Sequence, residues 1–533
     1  MKPKRMRRIF MPRRRRRTAR GTGGYAPAAM GWTRRADTSD LVTTLSNEQL
    51  ASANRMDEYE APDWVKHTLH QGIPSDAVPR RRIDYRSLTD RLLSHPGRLS
   101  VCYFMTLIIV VMLLLLLPAS SRGYGVTSPH IAFFTAVSAL STCGIPVVNT
   151  ALHWTMFGQA IILIAVQLGG LGVMTFASMI TLGVSRRLKV SQRLLTATEL
   201  GATKLSEVRG IIAVVLTSTF VIETVTFVSL FPGLYRNNGG AFWWTVWQSL
   251  FYAVSAYNNT GFTPDATGFH VSDWNVGLPI LVSAFIGTIG FPVILNVFRT
   301  TVHRRSPRRW SLHTKLTLLT TFLLVLLSFS WFIANEWNNP VLFPPGSTDS
   351  SKFSKAISAA VMPRSAGFDI SWVPMVSEQT KVFMSGMMFI GTGSSSTGGG
   401  IRVTTFAVLL LICRAAFANR RDITVFHRRI PRQVRLMAVS IAVTCLTLVY
   451  FAAIALIIIT GCDFGDAIFE ASSAFSLGGY SVGVASVQQP ASLYVLAFLM
   501  IVGRLGPMTI AYSISKPRPA SVVRYPEESI VVG

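Results

Sequence analysis

Acidic residues are scarce in this chain. Its 533 residues carry 25 Asp+Glu against 51 Lys+Arg, and the apolar segments hold too few His, Asp, Glu or Cys to converge as a catalytic centre. A multispan membrane enzyme is therefore the weaker reading of a hydrophobic chain. Cysteine is sparse too: Cys102, Cys143, Cys413, Cys445 and Cys462 are scattered without CxxC spacing, so no disulfide framework or zinc site is implied. Nothing at the N-terminus has the layout of a cleavable signal, because the first long apolar run begins only near Leu99.

What the chain has is apolar length. Half of its residues are hydrophobic and its mean hydropathy is positive. Charge-free runs long enough to cross a bilayer recur at about 99–120, 154–182, 211–230, 276–298, 316–335, 382–417, 437–460 and 492–514. A soluble protein is excluded.

Between the two runs of each successive pair lies a shorter one. FYAVSAYNNTGFTPD at 251–265 is apolar and aromatic, too short to cross, and ends in a polar turn on Gly261. The shape returns in FFTAVSALSTCGIPVVNT, turning on Gly144, in SAAVMPRSAGFDI, turning on Gly367, and in FEASSAFSLGGYSVGV, turning on Gly479. The glycines recur roughly every 105 to 120 residues, an internal period of the kind from which membrane carriers are built. Non-helical backbone at membrane depth must line water or be buried in protein, because lipid cannot satisfy a free N–H or C=O. Glycine reaches the angles that aim successive carbonyls one way, and a ring of carbonyls replaces the hydration shell of a small cation. The half-helices before the turns would point their partly negative C-terminal ends at that ion. Asn258 and Asn259 sit in the second turn, where their side chains would brace the carbonyl ring.

The charges give an orientation. The connections between repeats carry Arg186, Arg187, Lys189 and Arg193, then Arg304, Arg305, Arg308 and Arg309, then Arg420, Arg421, Arg428, Arg429 and Arg432. By the positive-inside rule these are cytoplasmic, so the turns open outward and both termini lie inside. The tail opens MKPKRMRRIFMPRRRRR, a polybasic run suited to anionic lipid headgroups or to fixing topology. No nucleic-acid role is expected of it.

Two polar features interrupt spans. GTGSSSTGGG at 391–400 has no apolar side chain, and a break of this length exceeds what close helix packing needs. No GK[ST] follows, so it is not a phosphate loop. It reads as a flexible constriction. Arg504 lies inside LMIVGRLGPMT, where a charge costs about 2.5 kcal/mol or more unless it faces a cavity or a partner. Facing a cation pathway it would act as a barrier; the alternative is a side chain that snorkels to the inner surface. Glu223 reads as structural, Glu470 as acidic charge near a helix N-terminus beside Asp466, and His153 and His313 as interfacial.

With AVSALSTCGIPVVNT, VQLGGLGVMTF, FYAVSAYNNTGF, MPRSAGF, GTGSSSTGGGIRVTTF, FEASSAFSLGGYS and VGRLGPMT in this order, the chain resembles the Trk/Ktr/HKT superfamily of potassium transporters, most closely the bacterial Ktr membrane subunit. The resemblance covers about 99–514. It implies a K⁺ selectivity filter at Gly144, Gly261, Gly367 and Gly479, with carbonyls from Thr142, Cys143, Asn259, Thr260, Ser365, Ala366, Leu477 and Gly478. It implies a gate at Gly391, Gly393, Ser394, Ser395, Ser396, Gly398, Gly399 and Gly400 together with Arg504. It further implies a homodimer on a cytosolic nucleotide-binding ring, with Na⁺ often promoting uptake. Cys143 stands where relatives commonly have threonine, and Pro363 stiffens the third turn.

The expectation is thus an all-α membrane protein with four tandem span–pore-helix–span repeats around a pseudo-fourfold central pore. A basic cytoplasmic tail at 1–98 precedes repeats at 99–190, 205–300, 312–420 and 432–514, and a short cytoplasmic tail follows at 515–533. The function expected is K⁺ uptake across the plasma membrane without covalent chemistry and without an organic cofactor. An independently gated cation channel of the same architecture is the alternative.

Overall fold

A mostly helical chain emerges in the computed structural model, which describes residues 96–123, 127–172, 207–266, 268, 273–302, 304, 306–364, 366–420, 422–506 and 509. All of these lie in one unit, Arg86–Gly533. The polybasic run, the basic connection at 186–193, Ser365 and the C-terminal tail lie outside the described residues.

The first stretch holds α1 (Pro96–Leu115), α2 (Pro129–Ser141), a single turn α3 (Thr150–His153) and α4 (Met156–Gly170). The second holds α5 (Glu207–Asn237), α6 (Phe242–Tyr257), α7 (Trp274–Ile289) and α8 (Phe291–Val302). The third holds α9 (Leu312–Glu336), α10 (Asp349–Val361), α11 (Glu378–Ile390) and α12 (Val403–Phe417). A small hairpin of β1 (Thr424–Val425) and β2 (Arg428–Arg429) leads to α13 (Arg432–Thr460), α14 (Phe464–Ser476) and α15 (Pro490–Leu505).

Side-chain oxygens start many of these helices. Thr155 accepts from the N–H of Gly158, Ser311 from Thr314 and Thr348 from Ser351, each satisfying a donor that the first turn leaves free. By length and composition, Val215–Asn237, Leu312–Glu336 and Arg432–Thr460 can each cross a membrane. Their outer faces are apolar: Phe220, Phe322 and Ile458 are 72%, 64% and 78% exposed, which suits lipid and would be costly against water.

One expected span is not straight. The run at 276–298 is split into α7 and α8, bent by 99° at Gly290. Gly290 has φ +94°, and a side chain there would meet the backbone carbonyl of Ser394. The corner is where another segment docks, and the Phe291 N–H donates to the Ser395 carbonyl at 3.3 Å. The break at 391–400 is present as expected, between α11 and α12.

The short helices are clasped by their neighbours. α2 packs against α1 and α4, α6 against α5 and α7, and α14 against α13 and α15, while α10 lies on α9. Between stretches, α4 meets α6, α7 meets α10, α11 meets α14, and α15 meets α2, so the chain closes on itself. One core joins the first and last stretches through Phe104, Phe134, Ile162, Cys445, Phe475 and Leu493. Another joins the middle two through Leu230, Tyr252, Ile280, Phe332 and Met388, with Tyr480 reaching in from the fourth.

Candidate functional site

The short helices end where the backbone turns left-handed. Thr142, Asn259 and Leu477 have φ of 61°, 58° and 61°, and two residues later Gly144, Gly261 and Gly479 have φ of 81°, 81° and 78°. Only glycine takes such angles without a penalty. Behind each bend, the N–H of Cys143, Thr260 and Gly478 reaches back to the carbonyl of Ser138, Ser255 and Ser473 at 2.9, 2.9 and 2.8 Å. The third turn differs. The 3₁₀ turn Met362–Arg364 extends α10, Ala366 N–H donates to the Met362 carbonyl at 2.8 Å, and Gly367 is not in the left-handed region.

The four glycines abut in chain order. A methyl group on Gly144 would run into the Thr260 carbonyl. On Gly261 it would lie 2.7 Å from the Gly367 carbonyl carbon, on Gly367 2.6 Å from the Gly479 Cα, and on Gly479 2.6 Å from the Cys143 carbonyl oxygen. No room exists for a side chain at any of them, and the last contact returns to the first turn. Thr142, Cys143, Asn259, Thr260, Ala366 and Leu477 are all buried around this set.

A serine six residues before the glycine holds the turn. Ser138 Oγ donates to the Ile145 carbonyl at 3.2 Å, Ser255 Oγ to Phe262 at 2.9 Å and Ser473 Oγ to Tyr480 at 2.6 Å. In the third turn that position is Val361, and the corresponding carbonyl, Phe368, accepts instead from the Tyr480 hydroxyl at 3.1 Å. Sequence reasoning missed these serines, although their fixed distance from the glycine was there to be read. Glu470 is buried and accepts from Ser481 Oγ at 2.7 Å and from the Val482 N–H at 3.0 Å, so it staples the segment leaving the fourth turn.

On one side of the glycines lies the loop 391–400, tied down at its centre by Thr397. The Thr397 carbonyl accepts from Thr142 Oγ1 at 2.8 Å and from Arg504 Nη1, while Asn259 Nδ2 donates to Thr397 Oγ1 at 2.6 Å. The Gly399 N–H donates to the Ser476 carbonyl at 3.0 Å and the Gly393 N–H to Thr288 at 2.9 Å. One short loop thus touches the first, second and fourth turns. Arg504 is buried beside it, with further bonds to Thr142 Oγ1 at 3.1 Å and to the Gly169 carbonyl, so it does not snorkel. Carbonyls at these distances offset the desolvation of a guanidinium. Arg402, at φ +76°, wraps the loop by donating to the Gly398 carbonyl at 2.6 Å.

Two expectations need correction. Asn259 braces the loop through Thr397, not the carbonyl ring, and Asn258 Nδ2 donates to Gln167 Oε1 at 2.9 Å and Glu223 Oε1 at 3.2 Å. Glu223, read from the sequence as structural, accepts from Gln167 Nε2 at 3.2 Å as well as from Asn258 of the second turn. Thr397 and Arg402, absent from the residues expected to form the gate, are the main fastenings of the loop 391–400.

A cleft of about 220 Å³, to which the loop 391–400 contributes no lining residue, opens onto Gly261 and Gly367 and carries Asp265 and Asp369. Tyr252 Oη donates to Asp265 at 2.6 Å and Ser371 Oγ to Asp369 at 3.0 Å, fixing both carboxylates near the mouth. Among the described residues no group of three or more His, Cys, Asp or Glu is placed to hold a metal ion.

The family model for TrkH, cation transport protein, matches residues 103–523, which span every turn, the loop and Arg504. The chain belongs to this family of cation transport proteins. It is 33% identical over 446 residues to the Ktr system potassium uptake protein B of Bacillus subtilis, covering 82% of this chain and 96% of that one. It is 30% identical to the protein of the same description from Vibrio alginolyticus, covering 83% and 96% of the two chains. It is also 30% identical to the potassium/sodium uptake protein NtpJ of Enterococcus hirae, covering 82% and 97%. The crystal structure of the potassium transporter TrkH from Vibrio parahaemolyticus matches with a TM-score of 0.59 at 18% identity, over 82% of this chain and 87% of that one, a likeness of fold.

Proposed function

We propose that this cation transport protein takes up K⁺ through a pore with pseudo-fourfold symmetry, built from four span–pore-helix–span repeats. One observation carries the reading: the four glycines abut in chain order and the series returns to Cys143. Peptide oxygens of Thr142, Cys143, Asn259, Thr260, Ser365, Ala366, Leu477 and Gly478 would replace the water of a K⁺ ion there. Asp265 and Asp369 at the adjoining cleft favour cations over anions at the mouth. The loop 391–400, held by Thr397, Arg402 and Arg504, then acts as the gate. A membrane potential contributes about 2.3 kcal/mol per charge per 100 mV, enough to draw K⁺ inward without ATP in this chain.

The names of the relatives, potassium uptake for two and potassium/sodium uptake for the third, support K⁺ as the cargo with Na⁺ as a second ion. The resemblance further favours a homodimer on a cytosolic nucleotide-binding ring. The arginine-bearing connections favour a plasma-membrane protein with both termini in the cytoplasm, the N-terminal tail resting on anionic lipid. Rb⁺ flux into liposomes, with and without competing Na⁺, tests the reading. Rb⁺ entry driven by an inside-negative potential and resistant to Na⁺ supports it; no entry, with or without a nucleotide-binding partner, overturns it.

A further inference from the structure

Away from the glycines, a cavity of about 540 Å³ lies between α9, α12 and the hairpin that follows α12. This volume is within the ~300–1,000 Å³ typical of small-molecule sites. Its wall is aliphatic, formed by Leu316 and Leu319 of α9 and Leu410 and Leu411 of α12, and its rim carries Arg414 and Arg420. Both arginines are exposed, and neither has an ion-pair partner among the described residues. The acid on the rim, Asp422, is already engaged, 2.7 Å from Arg429. Lys315 is already engaged, its ammonium bonded to the Arg308 carbonyl at 2.7 Å and lying 5.6 Å from the ring centre of Phe426, which lines the cavity.

We propose that this cavity binds one anionic phospholipid, its acyl chain along the four leucines and its phosphate between Arg414 and Arg420. The chemistry of the wall and rim matches the two ends of such a molecule. Guanidinium pairs with phosphate through two parallel bonds, and a lone unpaired arginine pair at the end of apolar helices is where headgroups lie. A second copy of the chain is a poorer occupant. A two-fold contact here would set Arg420, Arg428 and Arg429, all exposed, near the same arginines of the other copy. The site depends on α9 and α12 being membrane helices and not on the filter, so its test uses no ion flux.

The full-length protein, stripped of lipid in a neutral detergent, is titrated with phosphatidylglycerol and the bound lipid counted by native mass spectrometry. The expected result is retention of phosphatidylglycerol over phosphatidylcholine, with no displacement by glycerol phosphate, which has the head and lacks the chain. Arg414→Gln with Arg420→Gln lowers retention by about tenfold or more, since each basic residue near the surface contributes to holding an anionic lipid. Leu410→Trp, which fills the apolar end and leaves the charge alone, lowers it as well. Arg308→Gln with Arg309→Gln removes the same charge from another connection and leaves retention unchanged. Equal loss in that control pair, equal retention of phosphatidylcholine, or unaltered retention in the arginine pair overturns the site. Dissociation of a dimer by Leu410→Trp with the lipid count unchanged assigns the cavity to a second copy instead.

Discussion

The third turn and the other three reach the same place by different means. The first, second and fourth have a left-handed glycine and a serine six residues earlier that donates to the carbonyl just after it. The third has Val361 at that position, a 3₁₀ extension through Pro363, and a carbonyl satisfied by Tyr480 of the fourth turn. It also contains Arg364, buried, with one long bond of 3.5 Å to the Thr321 carbonyl and an Nε without a partner among the described residues. Three turns are therefore shaped mainly from within, and the third by its neighbours. A buried carbonyl left without a donor costs about 1–3 kcal/mol, so Tyr480 links the conformations of two turns that are 112 residues apart in its bond to Phe368.

Substitutions break or sharpen this contrast, the strongest first. Gly261→Ala puts a methyl 2.7 Å from the Gly367 carbonyl carbon at a φ of +81°, adding strain of about 1–3 kcal/mol to a steric clash. It should lower K⁺ preference by about tenfold or more, read as Na⁺ competition against Rb⁺ entry. Gly144→Ser should shift the same competition toward Na⁺. Unchanged competition in both would remove the filter assignment. Arg504→Ala, or deletion of 394–398, frees the loop and should raise Rb⁺ flux several-fold at equal expression; slower flux from a folded variant contradicts the gate.

Smaller effects separate the two kinds of turn. Ser473→Ala and Tyr480→Phe each remove the hydroxyl that donates to one buried carbonyl and should each destabilise the protein by about 1 kcal/mol, seen as a lower thermal midpoint. Tyr480→Phe disturbs the third turn while keeping the ring, so altered Na⁺ competition with little change in secondary structure is expected. The smallest effect belongs to Val361→Ser. Supplying the missing serine should be near neutral alone yet lessen the damage of Tyr480→Phe, with a coupling of about 0.5–1.5 kcal/mol in a double-mutant cycle. Strict additivity would show that the two hydroxyls do not serve the same carbonyl.

Much of this was legible in the chain because it is local. Glycines ending short apolar runs mark bends, a ten-residue polar stretch inside a span marks a loop, and a lone arginine at depth demands partners. What was not legible is who those partners are. Thr397 meets Asn259 across 138 residues and Arg504 meets Gly169 across 335, and no periodicity encodes such encounters. The bend at Gly290 has a local signal in Gly290 and Pro292, but the flanking residues are as apolar as any span, and the docking of Ser394 and Ser395 at the corner is not encoded there. The serines at 138, 255 and 473 were visible all along, but hydroxyls in an apolar helix read as packing until a carbonyl is found opposite them.

Thr397 fastens the loop to two of the turns it lies beside. Any movement of the loop that breaks those bonds releases the side chains of Thr142 and Asn259, and any change in how those side chains are held must bias the loop. If the turns hold the ion and the loop gates it, as proposed, thermodynamic reciprocity makes the cargo an effector of its own passage: binding an ion tightly and opening the way for it are two sides of one coupling energy. A transporter wired in this manner would open to a degree that depends on which cation is waiting.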